Sequence, residues 1–177
     1  MATHLIIDGY NVLGVRLTGP FSGWSSGEFA REQLLRDLAG YRQRKGHAIT
    51  VVFDGWREGP GAERHEHRSG VEVIYSRRGE RADQVIQRLA REYGRDCAVV
   101  SSDREVSDFA RAHGAFVISA AEFAARLSAP VVSPAATAFK GRVVEEEDSP
   151  RRNPDKKGNP RKLPKALRRR NRQLRKF

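Results

Sequence analysis

Cysteine is almost absent from this chain, which has 177 residues and a single cysteine, Cys97. One thiol excludes an intrachain disulfide, and its place in the apolar run 97–100 predicts a buried strand residue rather than a reactive group. No hydrophobic run approaches the roughly 18 residues of a membrane span, and the first residues lack the basic and apolar regions of a secretory signal. These absences predict a soluble, cytoplasmic protein with no membrane partner.

Excess positive charge is confined to the last part of the chain. The whole sequence has 33 Lys+Arg and 22 Asp+Glu. Residues 151–177 contain 13 of those cations and one acid, Asp155, so residues 1–150 are nearly neutral, with 20 cations against 21 acids. A dense basic segment favours a nucleic-acid partner, because each cation near a phosphate releases a counterion. The predicted contacts in this tail are Arg168, Arg169, Arg170, Arg172 and Arg175.

Two other interpretations of the tail remain open. A charged segment can act as a solubility tail, or it can bind anionic lipid. Lipid binding is disfavoured because the tail lacks the broad apolar face of an interfacial helix. Residues 163–177 are predicted to be helical when bound to an anionic partner, since a short, like-charged helix is marginal alone in water.

Short apolar runs alternate with helical patterns through residue 127. This alternation predicts an α/β fold, a three-layer α/β/α domain around a five-stranded parallel sheet, over residues 1–128. A Pro-rich, charged linker is expected over residues 129–162. The predicted strands are Leu5–Ile7, Ile49–Phe53, Val71–Tyr75, Cys97–Val100 and Ala115–Ile118.

Polar segments separate these elements. Residues 14–27 and 55–70 are predicted to be loops, and the second loop and the segment after Asn11 are expected to border a substrate channel. Trp56 beside Arg57 is typical of single-stranded RNA binding, although Trp56 alternatively packs within the domain. The sequence His65-Glu66-His67 is interpreted as solvated loop in preference to a metal-binding pair.

Three Ser-x-x-Glu sequences resemble capping boxes at helix starts. The first two begin at Ser25 and Ser102, and the third begins at Ser119. The second would place Asp103 in the first turn of a helix.

Four aspartates follow four of the hydrophobic runs. Because the carboxyl ends of parallel strands face one crevice, these side chains are expected to converge there. Neighbouring carboxylates repel each other unless a cation lies among them, and hard divalent ions prefer oxygen ligands. One such aspartate alone is explained by turn formation or by the helix dipole, but four at equivalent positions are not. The predicted Mg²⁺ or Mn²⁺ ligands are Asp8, Asp54, Asp83 and Asp103.

The chemistry of phosphodiester hydrolysis suggests a role for each residue. Asp8 and Asp103 are predicted direct ligands, and Asp83 is a ligand or the base that orients water. Asp54 is predicted to bind the metal directly or through water. Asn11 suits a supporting role or a hydrogen bond to phosphate, whereas Arg104 either holds a phosphate or pairs with Glu105.

Five ordered motifs carry a family resemblance. Taken together, they resemble the NYN domain of the PIN-like nuclease superfamily, specifically its bacterial YacP-like branch, over roughly residues 3–127. The motifs are Asp8-Gly-Tyr-Asn-Val-Leu-Gly14, Phe29-Ala-Arg-Glu-x-Leu-Leu35, Val51-Val-Phe-Asp54, Gly79-Glu-Arg-Ala-Asp83 and Ser101-Ser-Asp-Arg104.

The resemblance implies a metal-dependent endoribonuclease, in known cases connected with ribosomes and translated mRNA. It places the acidic positions of the family on the same four aspartates, with Asn11 as a polar helper. Arg81 and Gln84 stand where the family often has Thr and Glu, and the Arg-rich extension lies outside the expected domain pattern. These departures leave the metal ligands in place and bear on substrate preference.

Two functions of other kinds compete with the nuclease. One is a non-catalytic adaptor or assembly factor that binds RNA or the ribosome through the tail. The other is a phosphatase of the haloacid dehalogenase type, because Leu5-Ile-Ile-Asp8-Gly resembles its first motif. That enzyme needs a second acid two residues after its nucleophile, and Tyr10 occupies this position, which disfavours it.

Overall fold

The computed structural model describes residues 3–18, 27–55, 61–128, 165–174 and 177. The chain divides into two compact units, Met1–Ala129 and Pro130–Phe177. The strands of the first unit are β1 (His4–Asp8), β2 (Ile49–Phe53), β3 (Arg64–Arg68), β4 (Val71–Tyr75), β5 (Cys97–Val100) and β6 (Phe116–Ile118). Its helices are α1 (Gly9–Thr18), α2 (Glu28–Lys45), α3 (Ala82–Tyr93), α4 (Arg104–Ala112) and α5 (Ala120–Leu127). The second unit contains α6 (Lys165–Leu174).

The strands form one sheet in the order β3-β4-β2-β1-β5-β6. All neighbours pair in parallel except β3 and β4, which are antiparallel. The α/β fold and the five predicted parallel strands are therefore confirmed, and the number of strands is corrected to six. Every residue of β2 and β5 is buried, as expected for central parallel strands covered on both faces.

The added strand, β3, corrects the prediction that residues 55–70 form a loop throughout. Ser69 and Gly70 both have positive φ, 52° and 81°. Two such residues make the tight turn that matches the twist of a hairpin, so Arg68 pairs with Val71. The strand is polar because it lies at an exposed sheet edge, where charged side chains discourage pairing with another chain.

His65 lies on this edge strand and not in a loop. Its Nε2 lies 2.7 Å from Glu63 Oε1 and its Nδ1 lies 3.2 Å from Glu72 Oε1. Arg88 pairs with the other oxygen of Glu63. The hydrogen bond to Glu63 is the main cause that raises the pKa of His65 above 6.5, and Glu72 adds to it.

A pH-dependent contribution to stability follows from this raised pKa. The protonated form of His65 stabilises the folded hairpin fully below pH 6.5, and this contribution is lost as the pH rises through the folded-state pKa. The effect should be below about 1 kcal/mol because the ion pairs are exposed. Thermal melts should therefore show His65→Gln to be more destabilising at pH 6 than at pH 8.5. An equal cost at both pH values would contradict this.

The segment after Asp8 forms helix α1, which ends at Thr18. The prediction of a loop over residues 14–27 is therefore corrected for residues 14–18, which are helical. Val12 is fully buried, and Leu13 and Arg16 are 6% and 7% exposed. Arg16 forms an ion pair of 2.6 Å with Asp37 on α2. Packing of this face against the domain outweighs the low helix propensity of Gly14.

Two glycines of α1 provide a matched test of its packing. A Cβ at Gly9 would lie 2.4 Å from Phe53 Cε1, whereas at Gly14 it would meet no atom within 4 Å in the part of the chain described. We expect Gly9→Ala to cost about 1–3 kcal/mol through overpacking. Gly14→Ala should be neutral or stabilise by up to about 1 kcal/mol. Urea unfolding measures both, and equal losses would contradict this account of α1.

The first helix start also differs from its prediction. The N-cap of α2 is Gly27, with φ 101° and no side-chain cap. The helix therefore begins two residues later than the capping box at Ser25 predicted, and that prediction is wrong. Ser25 itself lies outside the described residues. The box at Ser119 and Glu122 is confirmed at the start of α5. In the described ranges, no helix is both long and apolar enough to cross a bilayer.

Candidate active site

A crevice of about 340 Å³ lies at the carboxyl edge of the parallel sheet. The four aspartates reach it from the ends of different strands and from the start of α3, as the order of a parallel sheet predicts. Its lining residues are Asp8, Tyr10, Asn11, Asp54, Ala82, Asp83 and Asp103. The four predicted ligands and Asn11 thus share one cavity.

Asp8 is the most deeply placed of the acids, with 6% of its surface exposed. It ends β1, and its Oδ1 accepts the Asn11 backbone N–H at 3.0 Å. Its Oδ2 accepts the Ser101 hydroxyl at 3.3 Å. Burial raises the pKa of Asp8, and the nearby charge of Asp83 adds to the rise, while the hydrogen bonds from Asn11 and Ser101 oppose it.

Asp103 is itself the N-cap of α4, which corrects the predicted capping box at Ser102. Its side chain accepts the Val106 backbone N–H at 3.1 Å. The Ser102 hydroxyl instead accepts the Ala120 backbone N–H. The helix therefore begins one residue later than the motif indicated, and Asp103 stands at the crevice and not within the first turn.

Hydrogen bonds tie the β5–α4 connection to the start of α1. Ser101 accepts the Asp103 backbone N–H at 3.1 Å while its hydroxyl donates to Asp8. Asn11 Oδ1 accepts the Ser102 backbone N–H at 3.1 Å. Asn11 and Ser101 thus link Asp8 to the segment that carries Asp103, while the catalytic role of Asn11 stays a prediction.

Asp54 follows the end of β2 and is exposed. The next residue, Gly55, donates its N–H to the hydroxyl of the fully buried Ser76 at 2.9 Å. Ser76 in turn donates to the Glu80 carbonyl at 2.7 Å. This chain of bonds connects the backbone beside Asp54 to the segment that leads into α3 and Asp83.

Asp83 is partly exposed and lies in the first turn of α3. Burial is the largest cause that raises its pKa, followed by the charge of Asp103, with further contributions from Asp54 and Glu105. The acids of the crevice therefore interact electrostatically, although they come from separate elements.

The donor chemistry of the crevice fits a hard divalent cation. Four carboxylates with a side-chain amide nearby offer oxygen ligands and an excess of negative charge. In the described part of the chain, however, no three His, Cys, Asp or Glu side chains come close enough together to ligate one ion as placed. Asp8 and Asp103 are held in their positions by backbone and hydroxyl donors.

Arg104, one of the proposed nucleic-acid contacts, is not among the residues that line the crevice. Arg104 has 95% of its side chain exposed, and its Nε lies 3.7 Å from Asp108 Oδ2, so its ion-pair partner is not the predicted Glu105. Trp56 and Arg57 lie outside the described residues. On α6, the exposed arginines are Arg168, Arg169, Arg170 and Arg172, whereas Arg175 is not among the described residues.

Three residues of the site carry structural roles that the sequence analysis did not assign. Ser101 and Ser76 are buried hydroxyls that connect strand ends, and Tyr10 is an exposed ring on the crevice wall. For Ser101, the only indication in the sequence was its position two residues before Asp103. Nothing in the sequence pattern indicated that Ser76 would bridge two segments.

The alternative interpretation takes His65 and His67 as a metal-binding pair. Both lie on β3, where His65 bonds to the carboxylates of Glu63 and Glu72. Within the described ranges, neither belongs to a group of three or more potential metal ligands.

Comparison with known proteins identifies relatives of this arrangement. The "Uncharacterized protein YacP" of Bacillus subtilis (strain 168) is 35% identical over 86 residues, which are 49% of this chain and 50% of YacP. The match therefore spans about half the length of that curated relative. A crystal structure of a mutant of Rae1 (YacP) from Bacillus subtilis has a TM-score of 0.56 and 29% identity, covering 72% of this chain and 75% of that one. A second Rae1 (YacP) structure has a TM-score of 0.52 and 27% identity, covering 70% and 72%.

The family model of the YacP-like NYN domain matches residues 5–171. This range continues past residue 128 and includes the first part of α6, so the expectation that the Arg-rich extension lies outside the family pattern is wrong. The chain belongs to the YacP-like NYN domain family of the PIN-like nuclease superfamily.

Proposed function

We propose that this protein is a metal-dependent endoribonuclease that hydrolyses RNA phosphodiesters in the acidic crevice. The observation that carries the proposal is the convergence of four aspartates from separate elements on one cavity of about 340 Å³. Such a group of acids is costly for the fold unless it serves a cation, because each carboxylate opposes the ionisation of its neighbours. Family membership supports the same reaction.

Asp8, Asp83 and Asp103 would hold Mg²⁺ or Mn²⁺, with Asp54 as a further ligand directly or through water. When bound, the ion supplies charge neutralisation at the phosphoryl oxygens and lowers the pKa of a bound water. Asp83 keeps access to solvent, which suits it to orient the attacking water. Ser101 and Asn11 keep Asp8 and Asp103 in position through their hydrogen bonds.

Positive charge near the crevice would orient the RNA backbone. Arg104 directly follows Asp103 and is almost fully exposed, so it can contact a phosphate next to the site. The arginines of α6 would add affinity for RNA without contributing to the chemistry. The ribosome-bound mRNA or rRNA implied by the family resemblance is the substrate we favour, with action in the cytoplasm.

The alternative is a non-catalytic adaptor that binds RNA or the ribosome. The exposed arginines of α6 favour it, because they provide binding without any contribution from the crevice. The two functions differ in whether the protein cleaves the bound RNA in the crevice.

Incubation of the protein with end-labelled single-stranded RNA and Mg²⁺ or Mn²⁺ tests the proposal. We expect internal cleavage that excess chelator abolishes and added metal restores. The same sequence made as DNA tests whether the substrate is restricted to RNA. Cleavage that persists in chelator would overturn the metal mechanism, and binding without cleavage under every metal condition would favour the adaptor.

A further inference from the structure

An aromatic ring that lines the acidic crevice, Tyr10, contacts the buried ring of Phe53 behind it. Tyr10 lines the cavity and is 44% exposed. Its ring centroid lies 5.4 Å from that of Phe53, at an interplanar angle of 71°. Phe53 is fully buried at the end of β2 and stacks on Tyr75 of β4, at 5.7 Å and 24°. The exposed ring of Tyr10 thus lies on the crevice, and the buried ring of Phe53 supports it from behind.

The position of Tyr10 is set by close backbone packing. Gly9 separates it from Asp8, and any Cβ at Gly9 would overlap the Phe53 ring. The start of α1 therefore lies directly on Phe53, which holds Tyr10 next to the carboxylates. Among the described residues, the exposed large hydrophobic side chains are Tyr10, Phe29 and Leu167, and of these Tyr10 lines the crevice.

We propose that Tyr10 is a stacking platform for an unpaired nucleobase next to the scissile phosphate. This inference rests on the proposed function and adds to it a preference for single-stranded RNA. Aromatic side chains stack on the exposed face of any base, so the platform would tolerate different sequences. A base within a duplex already has both faces covered and must leave the helix before it can stack on a protein ring.

A stacked base typically contributes about 1–3 kcal/mol, which corresponds to a change in affinity of roughly 5- to 150-fold. Tyr10→Phe retains a ring and should preserve this contribution. Tyr10→Leu keeps apolar cover over Phe53 but removes the platform. The two substitutions therefore separate stacking on RNA from packing on the protein.

The experiment measures binding of short single-stranded RNAs that each carry one abasic nucleotide, at successive positions. The full-length protein carries Asp83→Asn to suppress cleavage, and Tyr10 is either retained or changed to Phe or Leu. We expect one abasic position to weaken binding about 5- to 150-fold when Tyr10 or Phe is present, and to have no effect in Tyr10→Leu. Equal abasic penalties in all three proteins would overturn the platform and leave Tyr10 as cover for Phe53.

A second measurement requires no change at Tyr10. 2-Aminopurine placed at the sensitive position should lose fluorescence on binding, because stacking quenches it, and unchanged fluorescence at every position would overturn the proposal. This fluorescence measurement remains decisive if Tyr10→Leu lowers the melting temperature.

Cleavage by the protein with Asp83 intact is assayed in parallel. An abasic penalty that depends on the ring at position 10, without any cleavage, would support the platform and refute the nuclease. Cleavage without such a dependence would refute the platform alone.

Discussion

Asp83→Asn is expected to lower metal-dependent RNA cleavage by at least about three orders of magnitude, since loss of a ligand or of the water-orienting carboxylate removes several kcal/mol of transition-state stabilisation. Asp8→Asn should have an effect of the same size. Both variants should remain folded, because asparagine keeps the shape and one acceptor oxygen of the original side chain. Single-turnover cleavage of a labelled oligonucleotide measures the loss.

Stability without metal distinguishes this explanation from a general structural defect. The pKa of Asp8 is raised by burial, so its ionised form opposes folding at neutral pH. In chelator, Asp8→Asn should therefore melt at the same temperature as the original protein or higher. Asp96→Asn is the matched control, because Asp96 is exposed just before β5, at the opposite end of that strand from the crevice. Full cleavage activity of both crevice variants would refute the assignment of these acids.

Replacement of the four described arginines of α6 by glutamine should weaken RNA binding and flatten its dependence on salt. Each phosphate contact contributes a slope of about −0.7 in a plot of log affinity against log salt for single strands. If all four arginines contact phosphates, the slope should change by roughly 2.8. Cleavage of a short oligonucleotide at saturating concentration should continue, because the crevice acids are unchanged. The substituted residues are Arg168, Arg169, Arg170 and Arg172.

The corresponding replacement by lysine is the matched control for this experiment. Lysine keeps the charge but loses the planar fork of arginine, so the salt slope should remain while affinity falls only modestly. Binding of the glutamine variant with the original affinity and slope would exclude α6 as the docking element. If binding disappears and no cleavage is found in the original protein under any metal condition, the adaptor becomes the preferred function.

Parallel pairing of the strands explains why the convergence of the acidic residues could be predicted from the sequence. Apolar runs such as Ile49–Phe53 are recognisable, and parallel pairing brings their carboxyl ends to one edge. The positions of Asp8, Asp54 and Asp103 after such runs therefore predicted that they share a crevice. Asp83 followed the same logic from the first turn of α3.

The edge strand β3 was missed because its signal is a turn and not a hydrophobic pattern. Its residues are mostly exposed and charged, and they pair because Ser69 and Gly70 form a tight hairpin. α1 was missed for a related reason. Gly14 lowers helix propensity, and the burial of Val12 and Leu13, which favours the helix, depends on contacts between distant segments.

The kinds of chemical group available were readable from the residues alone: acids after strands, a basic C-terminal segment and a nearly neutral domain. What the linear pattern could not convey is how those groups are held. The hydroxyl of Ser101 bonds to Asp8 across 93 positions of sequence, and Ser76 connects to Gly55 across 21. Such hydrogen bonds require favourable angles and donor–acceptor distances that are correct to within a few tenths of an ångström. Both arise only when strands and helices pack together. The same packing places Tyr10 beside the acids, because the ring of Phe53 fits against the bare backbone of Gly9.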